Sequence, residues 1–342
     1  MASDQSSVTR TVFLFGAIGQ GPYGYMTFAS DGRIQVYENS NEHSYAYDDG
    51  VLAFYDINGV ETSTLIESAA DPLHFRPHTL GTHYLEPVLH LGPLQEKMSD
   101  KPAVVVNTLA KSGTYLVAEA LTASGYKPLD LHLSSDFLHD NRGVDMNVIH
   151  WNPPERSITC SASALASIVG PGEFVVGHID SVEELRKIDR SPVELISVVR
   201  NPFDQIQSML TFKIHKTKPK PSDLIWRSMT GLDRFKAFLL AHPVDYWLDF
   251  SRRITENFEF LTFEDLRVGR VASESLSTKL ISDLETGLSS ALGKETSTNM
   301  GGLREAKVNY FEDESVCAFL DSLGVTAYAQ KHWNISGPTA PP

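Results

Sequence analysis

The sequence predicts an α/β fold: a central parallel sheet flanked by helices, preceded by a small antiparallel β domain. Residues 10–65 contain short strand-like runs at about ten-residue spacing, separated by turn dipeptides. From residue 101 onward, strand-like and helix-like segments alternate, which is typical of a parallel sheet covered by helices. A loop-rich stretch with four prolines, residues 66–100, separates the two patterns. We therefore predict an accessory β domain with its linker over residues 1–95 and an α/β domain over residues 96–342.

The β domain is predicted from its turns as much as from its strands. Asp-Gly or Asn-Gly pairs stand at positions 31–32, 49–50 and 58–59. These residue types tolerate the positive φ angles of tight hairpins. The strand-like runs cover residues 11–15, 23–28, 34–37 and 51–55. We interpret this part as an antiparallel meander that buries one face against the rest of the chain.

Charge and composition exclude several function classes. The net charge of −14 argues against nonspecific binding to nucleic acid or to an anionic membrane surface. No stretch is long and apolar enough to span a membrane, and the first residues lack the pattern of a secretory signal. Two distant cysteines, Cys160 and Cys317, are expected to be reduced thiols, so a cytoplasmic location is predicted. Four histidines lie in residues 66–100 at irregular spacing, and no metal site is expected there.

The chain is organised around a strand, a turn and a helix near residue 111. Residues 104–106 are three consecutive valines and predict a buried strand, and residues 116–121 predict a helix. The turn between them carries Lys111, Ser112, Gly113 and Thr114. Such a turn directs backbone N–H groups at an anion, while the lysine adds charge and the hydroxyl groups add donors. The lysine precedes the glycine, unlike in a Walker A loop. The turn is therefore either a different phosphate loop or an ordinary turn with a solvated lysine.

Two further polar residues follow predicted strands. His178 comes after a strand at residues 173–176, and Arg200 comes after a strand at Val193–Val199. Because ligands of open α/β sheets bind beyond the carboxyl ends of the strands, we expect Lys111, His178 and Arg200 to lie along one edge. Arginine offers a bidentate fork for a phosphate. Ser208, two turns into the next predicted helix, is expected to face the same side.

At this point the sequence resembles sulfotransferases that use 3′-phosphoadenosine 5′-phosphosulfate (PAPS). The segment 111–114 looks like that family's 5′-phosphosulfate loop, and the segment 200–204 with Ser208 looks like its 3′-phosphate motif. His178 precedes Arg200 by 22 residues, where cytosolic sulfotransferases carry their catalytic histidine. The segment 261–266 resembles the family's Tyr-Glu-Asp-Leu segment. The resemblance covers about residues 101–325 and implies the family's P-loop-like fold.

The resemblance also implies a reaction and a set of site residues. PAPS would be the donor co-substrate, no metal would be needed, and a sulfuryl group would pass to a hydroxyl or amine of a small-molecule acceptor. His178 would be the general base, and Lys111 would stabilise the leaving phosphate. The implied cofactor-binding residues are Lys111, Ser112, Gly113, Thr114, Tyr115, Arg200, Ser208, Phe263, Arg304 and Lys307. The acceptor is expected to be a natural product or a sugar, which would place the chain in secondary metabolism.

Two alternatives remain open at the level of sequence. One is a P-loop kinase or NTPase, which would require magnesium and ATP. The other is a non-catalytic sulfotransferase-like binding protein, because Leu116 and Val176 replace residues that the family often carries near the donor. The aromatic residues Trp226, Tyr246, Trp247 and Phe250 fit either an acceptor pocket or a core at helical spacing. The lysine-rich run 213–220 fits a solvated loop, a lid or a contact to an anionic acceptor, and oligomeric state is not readable.

Overall fold

A computed structural model describes residues 3–78, 81–94, 100–145, 154–292 and 310–335. Within these residues the chain forms two β-sheets, one N-terminal and antiparallel, the other mixed and flanked by helices. The predicted division at residue 95 falls outside the described residues and stays a prediction. No helix in the described part is long and apolar enough to cross a membrane.

The first sheet contains eight described strands in the order β3, β2, β1, β8, β7, β6, β5, β4. They are β1 (Thr11–Ala17), β2 (Gly21–Phe28), β3 (Ile34–Gln35), β4 (Ser44–Asp48), β5 (Val51–Tyr55), β6 (Glu61–Glu67), β7 (Phe75–Pro77) and β8 (His83–His90). β8 pairs with β1, and an isolated bridge between Arg33 and Ser44 joins the ends next to β3 and β4. The sheet therefore closes on itself. The predicted meander is confirmed, but the loop-rich interpretation of residues 66–100 is wrong, because β7 and β8 both lie there.

Alternation along the strands explains why the first sheet closes around a core. Phe13 and Phe15 of β1 are buried, and so are Phe54 of β5 and Phe75 of β7. Their rings pack edge to face at centroid distances of 5.8–5.9 Å. Period-two placement of large aromatic side chains fills such a closed sheet without leaving room for water. The short helix α1 (Gln5–Thr9) adds Val8 to this core.

The second sheet has seven described strands in the order β12, β11, β10, β13, β9, β14, β15. They are β9 (Ala103–Thr108), β10 (Lys127–Leu133), β11 (Phe137–Asp140), β12 (Ser157–Thr159), β13 (Glu173–Gly177), β14 (Val193–Val199) and β15 (Leu261–Thr262). The five strands from β10 to β15 in sheet order run parallel to one another. β11 and β12 run antiparallel at one edge. The predicted parallel sheet is thus confirmed for its centre, and the whole sheet is mixed.

Helices cover both faces of the second sheet. They are α2 (Thr114–Ala123), α3 (Ala162–Ala166), α4 (Val182–Asp189), α5 (Pro202–Lys216), α6 (Leu224–Ser228), α7 (Gly231–Ala241), α8 (Val244–Asn257), α9 (Phe263–Leu266), α10 (Thr278–Ala291), α11 (Glu314–Ser322) and α12 (Val325–Trp333). β9 shows why two layers form: Val104 and Val106 pack in the core with α2 and α10, whereas Ala103 and Val105 pack in the core on the other face. A strand that is buried on both faces therefore has a continuous run of apolar residues in its sequence.

Several predicted elements differ from the structure for local reasons. The sequence pattern predicts one helix over residues 224–240, but the chain breaks between α6 and α7, where Gly231 has a φ of 55°. A strand is predicted over residues 258–263, yet β15 holds only two residues, and Phe263 begins α9. Thr262 accepts a hydrogen bond from the N–H of Asp265 and so caps that helix. α5 extends to Lys216, so the lysine-rich run starts as helix rather than as loop.

The two sheets share a buried contact. Arg10, at the start of β1, donates to a carboxylate oxygen of Glu173 in β13 at 2.6 Å, and both side chains are almost fully buried. Arg10 also donates to the carbonyls of Gly92 and Ile168. Val12 of β1 lies in the same core as the helices of the second sheet. The predicted burial of one face of the β part is therefore observed.

Candidate active site

The candidate site lies where the central parallel strands of the second sheet end. β9 lies between β13 and β14. After β9 the chain first forms the strands on the β13 side and then crosses to form β14 on the other side. In register, Asn107 of β9 pairs with Gly177 of β13 and with Ser197 of β14. The residues that follow these strands therefore meet beyond one edge, at the point where open α/β sheets bind ligands. Lys111, His178 and Arg200 are brought to this edge, as the sequence predicted.

The turn after β9 has the backbone of an anion loop. Lys111 and Gly113 both have positive φ angles, 72° and 107°. Ser112 is fully buried, and its hydroxyl oxygen has no hydrogen-bond partner in the structure. Thr114 Oγ1 lies 2.5 Å from Thr108 Oγ1, which ties the start of α2 to the end of β9. In a turn whose residues alternate between left-handed and right-handed backbone conformations, successive N–H groups point toward a common centre.

The first turn of α2 has open backbone donors. Gly113 is its N-cap residue, and no side chain among the described residues accepts a hydrogen bond there. In contrast, α3, α4, α5 and α10 are each capped by a serine or asparagine side chain. The uncapped N–H groups and the positive end of the helix dipole together favour an anion at this position.

Three cations converge on the turn. Burial, together with charge repulsion from Arg200 and Lys216, lowers the pKa of Lys111 to about 8. The Lys111 ammonium lies 4.7 Å from the ring centroid of Phe212 in α5. Arg200 Nη1 donates to the backbone carbonyl of Lys111 at 3.0 Å. Repulsion among half-buried cations costs stability, and a bound anion would relieve it.

Phe263 completes the surface of the turn. The Arg200 guanidinium lies 4.5 Å from the centroid of the Phe263 ring. The same ring lies against Gly113, so closely that a Cβ atom at position 113 would stand 2.6 Å from Phe263 Cδ2. Glycine is thus required here by both its φ and its neighbour. Phe263 is therefore placed beside the turn and Arg200, and its predicted role in cofactor binding stays a prediction.

Ser208 lies on the face of α5 that looks toward the turn. Gln205, three residues earlier, donates to the carbonyl of Ala110 at 2.9 Å. Phe212, four residues later, lies under Lys111. Side chains at such spacings share one helix face. Ser208 is half-buried on that face.

His178 is held by the end of β9. Its Nδ1 atom lies 2.7 Å from the carbonyl oxygen of Thr108. A carbonyl can only accept, so Nδ1 carries the hydrogen and Nε2 is left as the basic nitrogen. Burial lowers the pKa of His178, and the hydrogen bond to Thr108 opposes this shift without overcoming it. The imidazole is therefore neutral at pH 7 and available as a base.

The remaining predicted residues have different outcomes. Burial raises the pKa of Tyr115, and the nearby Arg156 opposes that rise. The Tyr115 hydroxyl is therefore near Arg156 in space, while its backbone lies in the first turn of α2. Arg304 and Lys307 lie outside the described residues. Of the aromatic candidates for an acceptor pocket, Trp226, Trp247 and Phe250 are buried in the core, and Tyr246 is 42% exposed.

Sequence reasoning missed several residues that shape the site. Asn107 is fully buried in β9 and holds the backbone of Ile179, the residue after His178. Gln205 and Phe212 orient α5 against the turn. An asparagine at the end of an otherwise apolar buried strand is a usable signal, because a buried amide requires partners. The spacing of Gln205, Ser208 and Phe212 along one helix face is a second signal.

No family model matches the chain, and no curated protein matches it either. Among solved structures, the chain is similar to mouse sulfotransferase SULT7A1 complexed with PAP, at 14% identity and a TM-score of 0.38, over 69% of this chain and 86% of that chain. It is also similar to retinol dehydratase in complex with androsterone and inactive cofactor PAP, at 14% identity and a TM-score of 0.30, over 78% of this chain and 91% of that chain. Solved structures similar to this chain thus include sulfotransferases. At these TM-scores the function has to be inferred from the site itself.

Proposed function

We propose that this chain is a PAPS-dependent sulfotransferase whose donor binds at the turn after β9. The observation that carries the proposal is the set of cations and open backbone donors around residues 111–114, directly beside a histidine with a free basic nitrogen. Lys111 and Arg200 supply charge, and the first turn of α2 supplies N–H groups. A ligand with two separate phosphate groups suits this arrangement, because the charges extend from the turn to the helix face of α5.

The two ends of the donor would be bound by different elements. The 5′-phosphosulfate would lie in the turn, contacted by Lys111, Ser112, Gly113 and Thr114 and by the N–H of Tyr115. The buried, unpartnered hydroxyl of Ser112 is an available donor for such an anion. The 3′-phosphate would be bound by Arg200 and Ser208. Phe263 would contact the adenine, and Arg304 and Lys307 are proposed to reach the 3′-phosphate from the C-terminal segment.

The proposed chemistry uses His178 and Lys111 in separate roles. The acceptor oxygen attacks the sulfur, His178 Nε2 takes the proton of that oxygen, and the bond from sulfur to the phosphate oxygen breaks. Negative charge develops on the departing phosphate, where Lys111 and the open N–H groups of α2 stabilise it. A neutral histidine suits the first role, and a protonated lysine suits the second. At neutral pH both groups are in the required state.

The acceptor is proposed to be a small molecule, either a natural product or a sugar, with a hydroxyl or amine group. A cytoplasmic location and a role in secondary metabolism stay predictions. The proposal requires no metal, because a transferring sulfuryl group carries less charge than a phosphoryl group and the cations of the site face the leaving oxygen.

Binding of adenosine 3′,5′-bisphosphate tests the donor site without knowledge of the acceptor. We expect this bisphosphate to raise the melting temperature of the wild type, and ATP with magnesium to raise it less. Arg200→Ala should lose the shift, because the 3′-phosphate loses its guanidinium partner. Arg200→Lys should recover only part of it, because lysine lacks the fork. Arg190→Ala is the matched control, since Arg190 is an exposed arginine at the end of α4.

Each outcome of that test is informative. Stabilisation by the bisphosphate that Arg200→Ala abolishes and Arg190→Ala retains would support the donor site. A turnover screen with PAPS, comparing wild type with His178→Gln, would then separate an enzyme from a binding protein. No shift in the wild-type melting temperature with the bisphosphate would refute the proposal. A larger shift with ATP and magnesium would favour the kinase alternative.

A further inference from the structure

We infer that Asn107 is a positioning residue that fixes the orientation and tautomer of His178. The inference rests on the proposed function, in which His178 is the base, and extends it to a residue that does not contact either substrate. Asn107 stands in β9, one residue before the carbonyl that accepts the hydrogen of His178 Nδ1.

The Asn107 side chain holds the backbone beside His178 with both ends of its amide. Its Oδ1 accepts from the N–H of Ile179 at 2.8 Å, and its Nδ2 donates to the carbonyl of Ile179 at 3.2 Å. Asn107 and Ile179 are both fully buried. Two hydrogen bonds between one amide and one residue fix position and rotation together. Water cannot replace them at this depth, because neither residue is exposed.

The segment after β13, residues 178–181, is also held on its other side. The hydroxyl of Ser135, after β10, accepts from the N–H groups of Asp180 and Ser181 at 3.2 and 3.0 Å. The N–H of His178 itself donates to the carbonyl of Leu133 at 2.8 Å. The backbone after β13 is therefore fixed to β9 on one side and to the end of β10 on the other. Loss of either set of contacts would leave the backbone beside His178 attached to only one neighbouring strand.

Anchoring His178 and the turn at residues 111–114 to the same strand, β9, keeps the base in register with the proposed donor site. Thr108 follows Asn107, and its carbonyl takes the Nδ1 hydrogen of His178 while its hydroxyl contacts Thr114 in the anion turn. Asn107 thus keeps His178 in register with the residues that would hold the donor. If the Ile179 backbone shifts, the hydrogen bond from Nδ1 to Thr108 lengthens. The hydrogen is then free to occupy Nε2, where it would block proton acceptance.

The tautomer of His178 can be measured directly, without an acceptor. In histidine labelled with ¹⁵N, long-range proton–nitrogen correlation distinguishes a protonated from an unprotonated ring nitrogen. His178→Gln identifies the signal, and His132, whose ring lies 4.5 Å from that of His178, must be assigned with it. We expect wild type to show Nδ1 protonated and Nε2 unprotonated. Asn107→Leu, nearly equal in size, should give a mixture of both tautomers.

The control is Ser197→Ala. Ser197 pairs with Asn107 across β14, is equally buried, and its hydroxyl has no hydrogen-bond partner in the structure. It should leave the His178 signal unchanged. If Asn107→Leu does not fold, Asn107→Asp keeps the size and the acceptor of Ile179 N–H, and should shift the tautomer balance in the same direction. A His178 signal that stays as in wild type in the folded variant would overturn the inference.

Failure of this inference and failure of the proposed function are distinguishable. Binding of adenosine 3′,5′-bisphosphate reports on the donor site, and Asn107→Leu should retain it, because Asn107 does not contact the turn. With an acceptor in hand, the variant should lower kcat about 10- to 100-fold, as expected for a misplaced catalytic group, with the KM for PAPS unchanged. Equal loss of donor affinity and rate would indicate a merely structural role and contradict the inference.

Discussion

Substitution of Gly113 tests how closely the anion turn is packed. In Gly113→Ala, the new methyl group would stand 2.6 Å from Phe263 Cδ2 and 3.2 Å from Cε2. Carbon atoms pack best at about 3.5–4.0 Å, so the ring must move by roughly 1 Å. Overpacking of this kind costs about 1–3 kcal/mol. The φ of 107° adds about 1–2 kcal/mol for a residue with a side chain. We expect a loss of about 2–5 kcal/mol in the free energy of unfolding.

Two further variants separate these contributions in urea unfolding experiments. Gly59 has a φ of 77°, and a Cβ atom added there would meet nothing within 4 Å, so Gly59→Ala should show the backbone cost alone. Phe263→Leu in the Gly113→Ala background should recover about 1–3 kcal/mol, since the ring is the obstacle. Because Arg200 stacks on that ring, Gly113→Ala should also weaken binding of adenosine 3′,5′-bisphosphate about tenfold or more. A loss no larger than that of Gly59→Ala, with unchanged binding, would refute this account of the turn.

Three other predictions concern charge and hydrogen bonding. Arg10→Met should lower the free energy of unfolding by about 3–5 kcal/mol in urea titration, because it leaves the buried carboxylate of Glu173 without its closest partner; a loss below about 1 kcal/mol would contradict this. Affinity for adenosine 3′,5′-bisphosphate, measured by calorimetry, should be nearly full about one pH unit below the Lys111 pKa of about 8 and fall as the pH rises through it, and Lys111→Met should remove this dependence. Ser208→Ala should weaken the same binding about 5- to 10-fold without loss of stability, whereas Thr211→Ala, which removes only a bond to its own helix, should leave binding unchanged.

The sequence allowed the residues at the ends of the central strands to be predicted better than the order of those strands. Positions after buried strands could be recognised because Lys111, His178 and Arg200 each follow a run of apolar or β-branched residues. The contacts among these residues could not be recognised from the sequence, because they depend on the order of the strands in the sheet. The Arg200 bond to the Lys111 carbonyl requires β9 and β14 to be neighbours, which no local pattern reveals.

The N-terminal sheet shows the limit of local patterns. Hairpin dipeptides identified three of its turns, but β7 ends at Pro77 and β8 contains Pro87, and proline argues against a strand when read locally. Proline is tolerated there because closure of the sheet supplies pairing through the other residues: β8 pairs with β1 along most of its length, with a register shift near Pro87. Asn107 was overlooked for a similar reason, because its partner Ile179 is 72 residues away.

The buried pair between Arg10 and Glu173 also orders events during synthesis. The two residues are 163 positions apart. At about 5–20 residues per second, roughly 8–30 s separate their emergence from the ribosome. Throughout that interval the N-terminal sheet carries an unpaired arginine and an apolar flank that includes Val12, which has no core to enter until the second sheet exists. The N-terminal sheet is made first, but its contact with Glu173 cannot form until that residue has been made, and until then this surface is open to chaperones and proteases.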